Sequence, residues 1–160
     1  HGMAVLSSRE DLGLRVPVRS DCALLNGLVE EMLSAGTVHA LRDPTRGGLA
    51  AAAREMAAAG GCSIELLEED VPVREGVRAA CELLGLDPML LANEGKLLAA
   101  VPPGDAERVL GAMRNHPLGR DAAVIGRALE GRKGEVWMLT PVGSRRLLRM
   151  PSGEQLPRIC

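Results

Sequence analysis

Arg42-Asp43-Pro44-Thr45-Arg46-Gly47-Gly48-Leu49 is the stretch from which the fold is read. Just before it, Thr37 to Leu41 is short and partly β-branched, as strands are. Just after it, Leu49 to Ala59 is rich in alanine, the strongest helix former, and Gly60-Gly61 ends the run. Strand, tight turn and helix therefore follow one another within residues 37–61. The same alternation extends outward. Residues 20–35 carry one apolar stripe (Leu24, Leu25, Leu28, Val29, Met32, Leu33) behind Ser20 or Asp21 as cap, which predicts a helix stopped by Gly36. Cys62 to Leu67 reads as a strand. Pro72 opens a predicted helix that runs to Leu84 and closes at Gly85.

Further along, Leu97 to Val101 is a continuous apolar run, the pattern of a buried strand, and Asp105 to Arg114 is helical. Ala122 to Leu129 and Glu135 to Thr140 read as two strands joined by a hairpin turn at Gly131-Arg132-Lys133-Gly134. Arg145 to Met150 is a last strand. Strands alternating with helices predict an α/β or α+β domain in which helices cover a mixed β-sheet. The domain is expected to occupy residues 1–150. The remainder, 151–160 (PSGEQLPRIC), has two prolines, a glycine and no periodicity, and is expected to be a flexible tail. At full extension its span is roughly 30 Å, and it ends on a thiol, Cys160.

Composition removes several function classes. A length of 160 residues suits one domain with a real core, and the 46% hydrophobic content is interrupted too often for a membrane-spanning helix. A net charge of −2, one tryptophan (Trp137) and no Phe or Tyr leave neither a basic stripe nor stacking rings, which argues against nucleic acid as a partner. The four cysteines Cys22, Cys62, Cys81 and Cys160 are widely spaced, without a Cys-x-x-Cys pair or a histidine at ligand spacing, so no metal site is expected. The first three read as buried, reduced thiols of a cytoplasmic protein. His1-Gly2-Met3-Ala4 resembles neither a signal peptide nor an initiation site, so the chain is expected to be a piece of a longer one.

Two stretches have the composition of a reaction site. In the 43–48 turn, Gly47 and Gly48 would let backbone come close to a ligand, while Thr45 and Arg46 would offer a hydroxyl and a guanidinium fork to phosphate. A capped helix behind a tight turn needs the same residues. Asn93-Glu94-Gly95-Lys96 is a polar loop set directly before an apolar strand, a usual place for reacting groups in open sheets. Glu94 there could act as a general base if burial raised its pKa, or could be an exposed turn residue beside Lys96.

The motif from Arg42 to Leu49, the Asn93 to Lys96 loop and the ending Pro157-Arg158-Ile159-Cys160, in that order, closely resemble the HypE family of hydrogenase maturation carbamoyl dehydratases. The opening HGMAVLSSRE is similar to the segment joining that family's two halves. The resemblance implies an α+β fold like the C-terminal domain of aminoimidazole ribonucleotide synthetase-like proteins, with the N-terminal half missing. It also implies a function. A HypF-type partner carbamoylates Cys160, and ATP with Mg, bound mostly by the missing half, drives loss of water to leave a thiocyanate on the sulfur. The cyano group then passes to iron held by HypC- and HypD-type partners, as a ligand of nickel–iron hydrogenase. Site residues follow by position: Cys160 as carrier and Glu94 as base, with Asp43, Thr45, Arg46, Gly47, Gly48 and Asn93 toward the nucleotide. The family's homodimer surface belongs to the missing half, and this fragment alone is expected to be inactive. Two other readings compete: a selenophosphate or aminoimidazole ribonucleotide synthetase-like enzyme, and a non-catalytic module that only presents its tail.

Overall fold

The structure, a computed structural model, describes residues 1–10 and 18–149. The expected tail 151–160, and Cys160 with it, lies outside the described residues. Helices α1 (Gly2–Glu10), α2 (Asn26–Ala35), α3 (Gly48–Gly60), α4 (Glu75–Leu84) and α5 (Ala106–Asn115) alternate with strands. The strands are β1 (Ala40–Arg42), β2 (Ser63–Leu67), β3 (Leu98–Ala100), β4 (Gly126–Leu129), β5 (Val136–Leu139) and β6 (Arg145–Leu147). Among the described residues they form a two-stranded ribbon, β1-β3, and a four-stranded sheet in the order β4-β2-β5-β6. The larger sheet is mixed, with β2 antiparallel to β4 and parallel to β5, as the alternating pattern predicts.

The alanines decide how α3 packs. Ala50, Ala53 and Ala57 recur on one helical face and are buried against Leu66, Val136 and Met138 of the sheet and Leu148 just beyond β6. A face made only of methyl groups lets the helix axis come close to the strands, and the larger side chains opposite fill the space. Leu66 and Met138 are almost wholly buried, and each such side chain contributes roughly 1.5–3 kcal/mol. Two smaller clusters complete the interior. Met3 of α1 meets Ala80 and Cys81 of α4, and Leu28 and Met32 of α2 meet Val109 of α5 under the β1-β3 ribbon.

Four expectations are corrected. The hairpin predicted across 131–134 does not form: β4 and β5 lie on opposite sides of β2, and the turn strides over the start of that strand, with Gly134 N–H donating to the Cys62 carbonyl at 3.0 Å. A turn with two glycines fits a strand end as well as a hairpin, and local sequence does not tell them apart. The hairpin that does form joins β5 to β6. The predicted helix from residue 20 begins only at Asn26: residues 21–25 take neither helix nor strand, and the backbone of Asp21 and Ala23 packs against Gly95. The helix predicted from Pro72 begins at Glu75, since Val71 and Val73 are drawn into the core around Met138. Lastly, Gly2–Glu10, expected only as a joining segment, is helical and buries Met3.

Of the thiols expected to be buried, Cys81 is, and burial, seconded by Asp87, pushes its pKa up. Cys62 is half-buried, and Cys22, outside any helix, is exposed. No described helix is long and apolar enough to cross a membrane.

Candidate functional site

The antiparallel ribbon brings the two candidate stretches together. β1 pairs with β3 so that Arg42 faces Leu98, and the residues that follow Arg42 therefore lie beside those that precede Leu98. Asn93 joins them. Its backbone N–H donates to the Pro44 carbonyl at 3.0 Å, and its side-chain amide donates to Pro44 O at 3.3 Å and Leu91 O at 2.9 Å. Both donors of the Asn93 side chain thus point into the protein, and only Oδ1 remains for a ligand.

The turn is built for the protein's own backbone as much as for any ligand. Gly47 and Gly48 both take left-handed φ, 77° and 60°, a conformation that costs other residues strain. A Cβ on Gly48 would come within 2.5 Å of Leu91 O and 2.7 Å of Met89 O. The close approach expected of a ligand is therefore made at Gly48 by the single-turn helix Pro88–Leu90 and the residue after it. The Gly48 N–H is also engaged, donating to Thr45 O at 2.9 Å. Asp43, Thr45 and Arg46 stand exposed on the outer side of the turn, while Pro44 is buried. Arg42 pairs with Glu55 of α3 and ties strand to helix across the turn.

The loop after Asn93 is gripped from its other side by residues 20–25. Gly95 is packed so closely there that a Cβ would lie 1.7 Å from Asp21 O and 2.8 Å from Ala23 N, so only glycine fits. Lys96 Nζ donates to Asp21 Oδ2 at 2.7 Å, and the main-chain nitrogen of His1 donates to Oδ1 at 2.6 Å. Burial works against the Asp21 charge, and the hydrogen bond and charge of Lys96 act in the opposite sense and lower its pKa. Glu94, between the two anchors, is exposed and has no hydrogen bond or ion pair among the described residues. The burial on which its role as a base is conditional is not found among the described residues. Asp21 had only the sequence signature of a helix cap, and nothing in local sequence pairs it with Lys96, 75 positions away.

The arrangement can present a carboxylate (Glu94), a hydroxyl (Thr45), a guanidinium (Arg46) and a second carboxylate (Asp43) from one end of the ribbon. Residues 1–138 match the family described as AIR synthase related protein, C-terminal domain. The whole chain is 52% identical, over 161 aligned positions, to a carbamoyl dehydratase HypE of Azotobacter vinelandii, of which it covers 47%. It is also similar to a solved hydrogenase maturation protein HypE in complex with ATP, at 47% identity and TM-score 0.93, over all of this chain and 49% of that one. A HypE–HypF complex superposes on 94% of the chain with TM-score 0.90 at 42% identity, covering 49% of the solved chain. The chain spans about half the length of the curated relatives it matches.

Proposed function

The chain belongs to the family of AIR synthase related proteins, as its C-terminal domain, and from that premise we propose that it is the thiol-bearing half of a HypE-type carbamoyl dehydratase. The observation that carries the reading is the meeting of the 43–48 turn with the Asn93–Lys96 loop at one end of the ribbon, with Glu94 exposed between its anchors. Relatives at about half identity over the entire chain bear the carbamoyl dehydratase name, which supports the same reading.

In this proposal Cys160 accepts a carbamoyl group from a HypF-type partner. Removing water from a thiocarbamate, S–C(O)NH2, gives S–C≡N and needs two changes. The oxygen must become a good leaving group, which phosphorylation by ATP achieves, since it then departs as phosphate. The two N–H protons must also leave: Glu94 is assigned as the acceptor of one, and the departing phosphate can carry the other. Sulfur suits the carrier because it accepts the carbamoyl carbon and later departs as thiolate when the cyano group moves to iron held by HypC- and HypD-type partners.

The turn fits a nucleotide only in part. Asp43, Thr45 and Arg46, exposed on the turn, are assigned toward the nucleotide, whereas the Gly48 position is filled by the protein's own carbonyls. Most of the ATP contacts, and the homodimer surface, are assigned to the half that this chain lacks. Residues 151–160 are assigned as the arm that carries the thiol between partners.

Intact mass of the family-length protein tests the reading, after incubation with its carbamoylating partner, carbamoyl phosphate and ATP. The expected outcome is a carbamoyl adduct on Cys160 followed by loss of one water. An unchanged mass beside a competent partner would point instead to another synthetase of the superfamily. Hydrogenase maturation that survives Cys160→Ala would reject the carrier role altogether.

A further inference from the structure

The loop that carries Glu94 is fixed at both ends and open in the middle. Asn93 holds one end through the carbonyls of Pro44 and Leu91, at 3.0 and 2.9 Å. The other end is held by one residue acting twice. The Asp21 carbonyl leaves room for nothing larger than glycine at position 95, and the Asp21 carboxylate receives Lys96 Nζ at 2.7 Å. Asp21 can serve in both ways because residues 21–25 stay out of the helix that the sequence pattern predicts for them. In an α-helix its carbonyl would face along the helix axis to a later N–H and would be unavailable to the loop. The Asp21 side chain is 7% exposed, whereas that of Lys96 is 48% exposed, so the pair is anchored from the protein side and reaches outward to the loop.

Such a loop combines a fixed backbone with a side chain free to reach. A proton acceptor that meets a group delivered from elsewhere needs both properties, because a displacement of about 1 Å can cost on the order of a hundredfold in rate. We propose that Asp21 is a positioning residue: through Lys96 and the Gly95 backbone it fixes the direction from which Glu94 meets the carbamoylated thiol. The proposal rests on the assignment of Glu94 as proton acceptor. It adds a residue with no chemical part in the reaction and no contact with Glu94 itself, on a segment outside both motifs.

The test uses the family-length protein carbamoylated on Cys160, with Asp21→Asn, Lys96→Met and the double variant. Two readouts are taken from each: the single-turnover rate of water loss by mass, and hydrogen exchange of the amides of residues 93–96. Each single variant is expected to slow water loss by about ten- to a hundredfold. The apparent KM for ATP and the extent of carbamoylation should stay unchanged, and exchange at residues 93–96 should be faster. The double variant should be no slower than the worse single one, since the two residues act through one contact. Faster exchange with an unchanged rate of water loss would overturn the proposal, and so would slower water loss with unchanged exchange. Additive losses in the double variant would overturn it too. Lys96→Met alters a half-exposed side chain and keeps the test decisive if Asp21→Asn fails to fold. If the unvaried protein removes no water, the dehydratase reading is what fails; exchange at 93–96 then decides by itself whether Asp21 holds the loop.

Discussion

At the scale of single residues, two glycines and one carboxylate determine how the site is built. Gly48 combines a φ of 60° with two backbone carbonyls inside 2.8 Å of where a Cβ would stand. Strain alone costs about 1–3 kcal/mol at such a position, and here rigid backbone must move as well. Gly48→Ala is therefore expected to lower unfolding free energy by at least about 2 kcal/mol, measured by urea denaturation. A loss under half that would mean that the 88–91 turn yields easily. Asp21 makes a prediction in pH. Its folded pKa is depressed below the unfolded value, so its contribution is complete above about pH 4 and is lost as pH falls through the folded value. In the 160-residue chain, whose His1 amino group shares in the shift, the stability gap between the unvaried protein and Asp21→Asn should stay near about 1 kcal/mol from pH 7 to about pH 4 and close only below that. A gap already closing between pH 6 and 5 would contradict the depressed pKa.

The same residues mark how far the sequence could be read. The 43–48 and 93–96 stretches were visible because their compositions are unusual for loops, and the antiparallel pairing of β1 with β3 brings them side by side. What stayed hidden was the use made of each residue. Gly48 was expected against a ligand and lies against Leu91. Asn93 was expected on a nucleotide, and its two side-chain hydrogens are spent on Pro44 and Leu91. Asp21 looked like a cap and is a clamp. Each depends on a contact with residues far along the chain, which no local pattern encodes.

At the scale of elements, α3 and α5 were legible, whereas α1, the start of α2 and the strand partners were not. The predicted 49–59 and 105–114 helices correspond to α3 and α5 within a residue at each end, because alanine content and the 3.6-residue stripe are local properties. Strand order depends on register and on which edge is free. That is why β2 could slip between β4 and β5, where a hairpin was expected. Its position has an electrostatic consequence. Glu65, at the middle of β2 and 6% exposed, takes Arg127 from β4 at 2.9 Å and Arg145 from β6 at 3.1 Å. Arg145 also lies over the Trp137 ring of the intervening strand, 5.2 Å from its centroid. One carboxylate thus ties together strands that do not touch. Either arginine is exposed enough that its loss alone should cost under about 1 kcal/mol. Losing both leaves a buried carboxylate unpaired, and Arg127→Ala with Arg145→Ala should cost about 3 kcal/mol, well beyond the sum of the singles. Additive effects in urea denaturation would mean that the two pairs are independent.

At the scale of the whole molecule, the decisive fact is that Glu94, the assigned proton acceptor, stands exposed. The interior of this chain is complete without the site: α3 seals the larger sheet, and the other two clusters close around Met3 and Met32. Glu94, Thr45 and Arg46 lie outside all of them, on the rim of the ribbon. Dehydration in open water is unfavourable, because solvent competes for every proton and phosphoryl contact, and a covered site strengthens each of them. In the proposed reading the cover comes from the other half of a family-length protein, since the chain spans only 47% of its relative from Azotobacter vinelandii. The isolated chain, carbamoylated on Cys160 by the partner, should therefore hold its adduct in the presence of ATP, with water loss at least about a hundredfold slower than in the family-length protein. Adding the other half as a separate polypeptide should restore part of that rate, with a half-maximal concentration that reports the affinity of the two halves. Water loss from the isolated chain at the full rate would mean that Glu94 works uncovered, and that the rim of this ribbon is the whole active site.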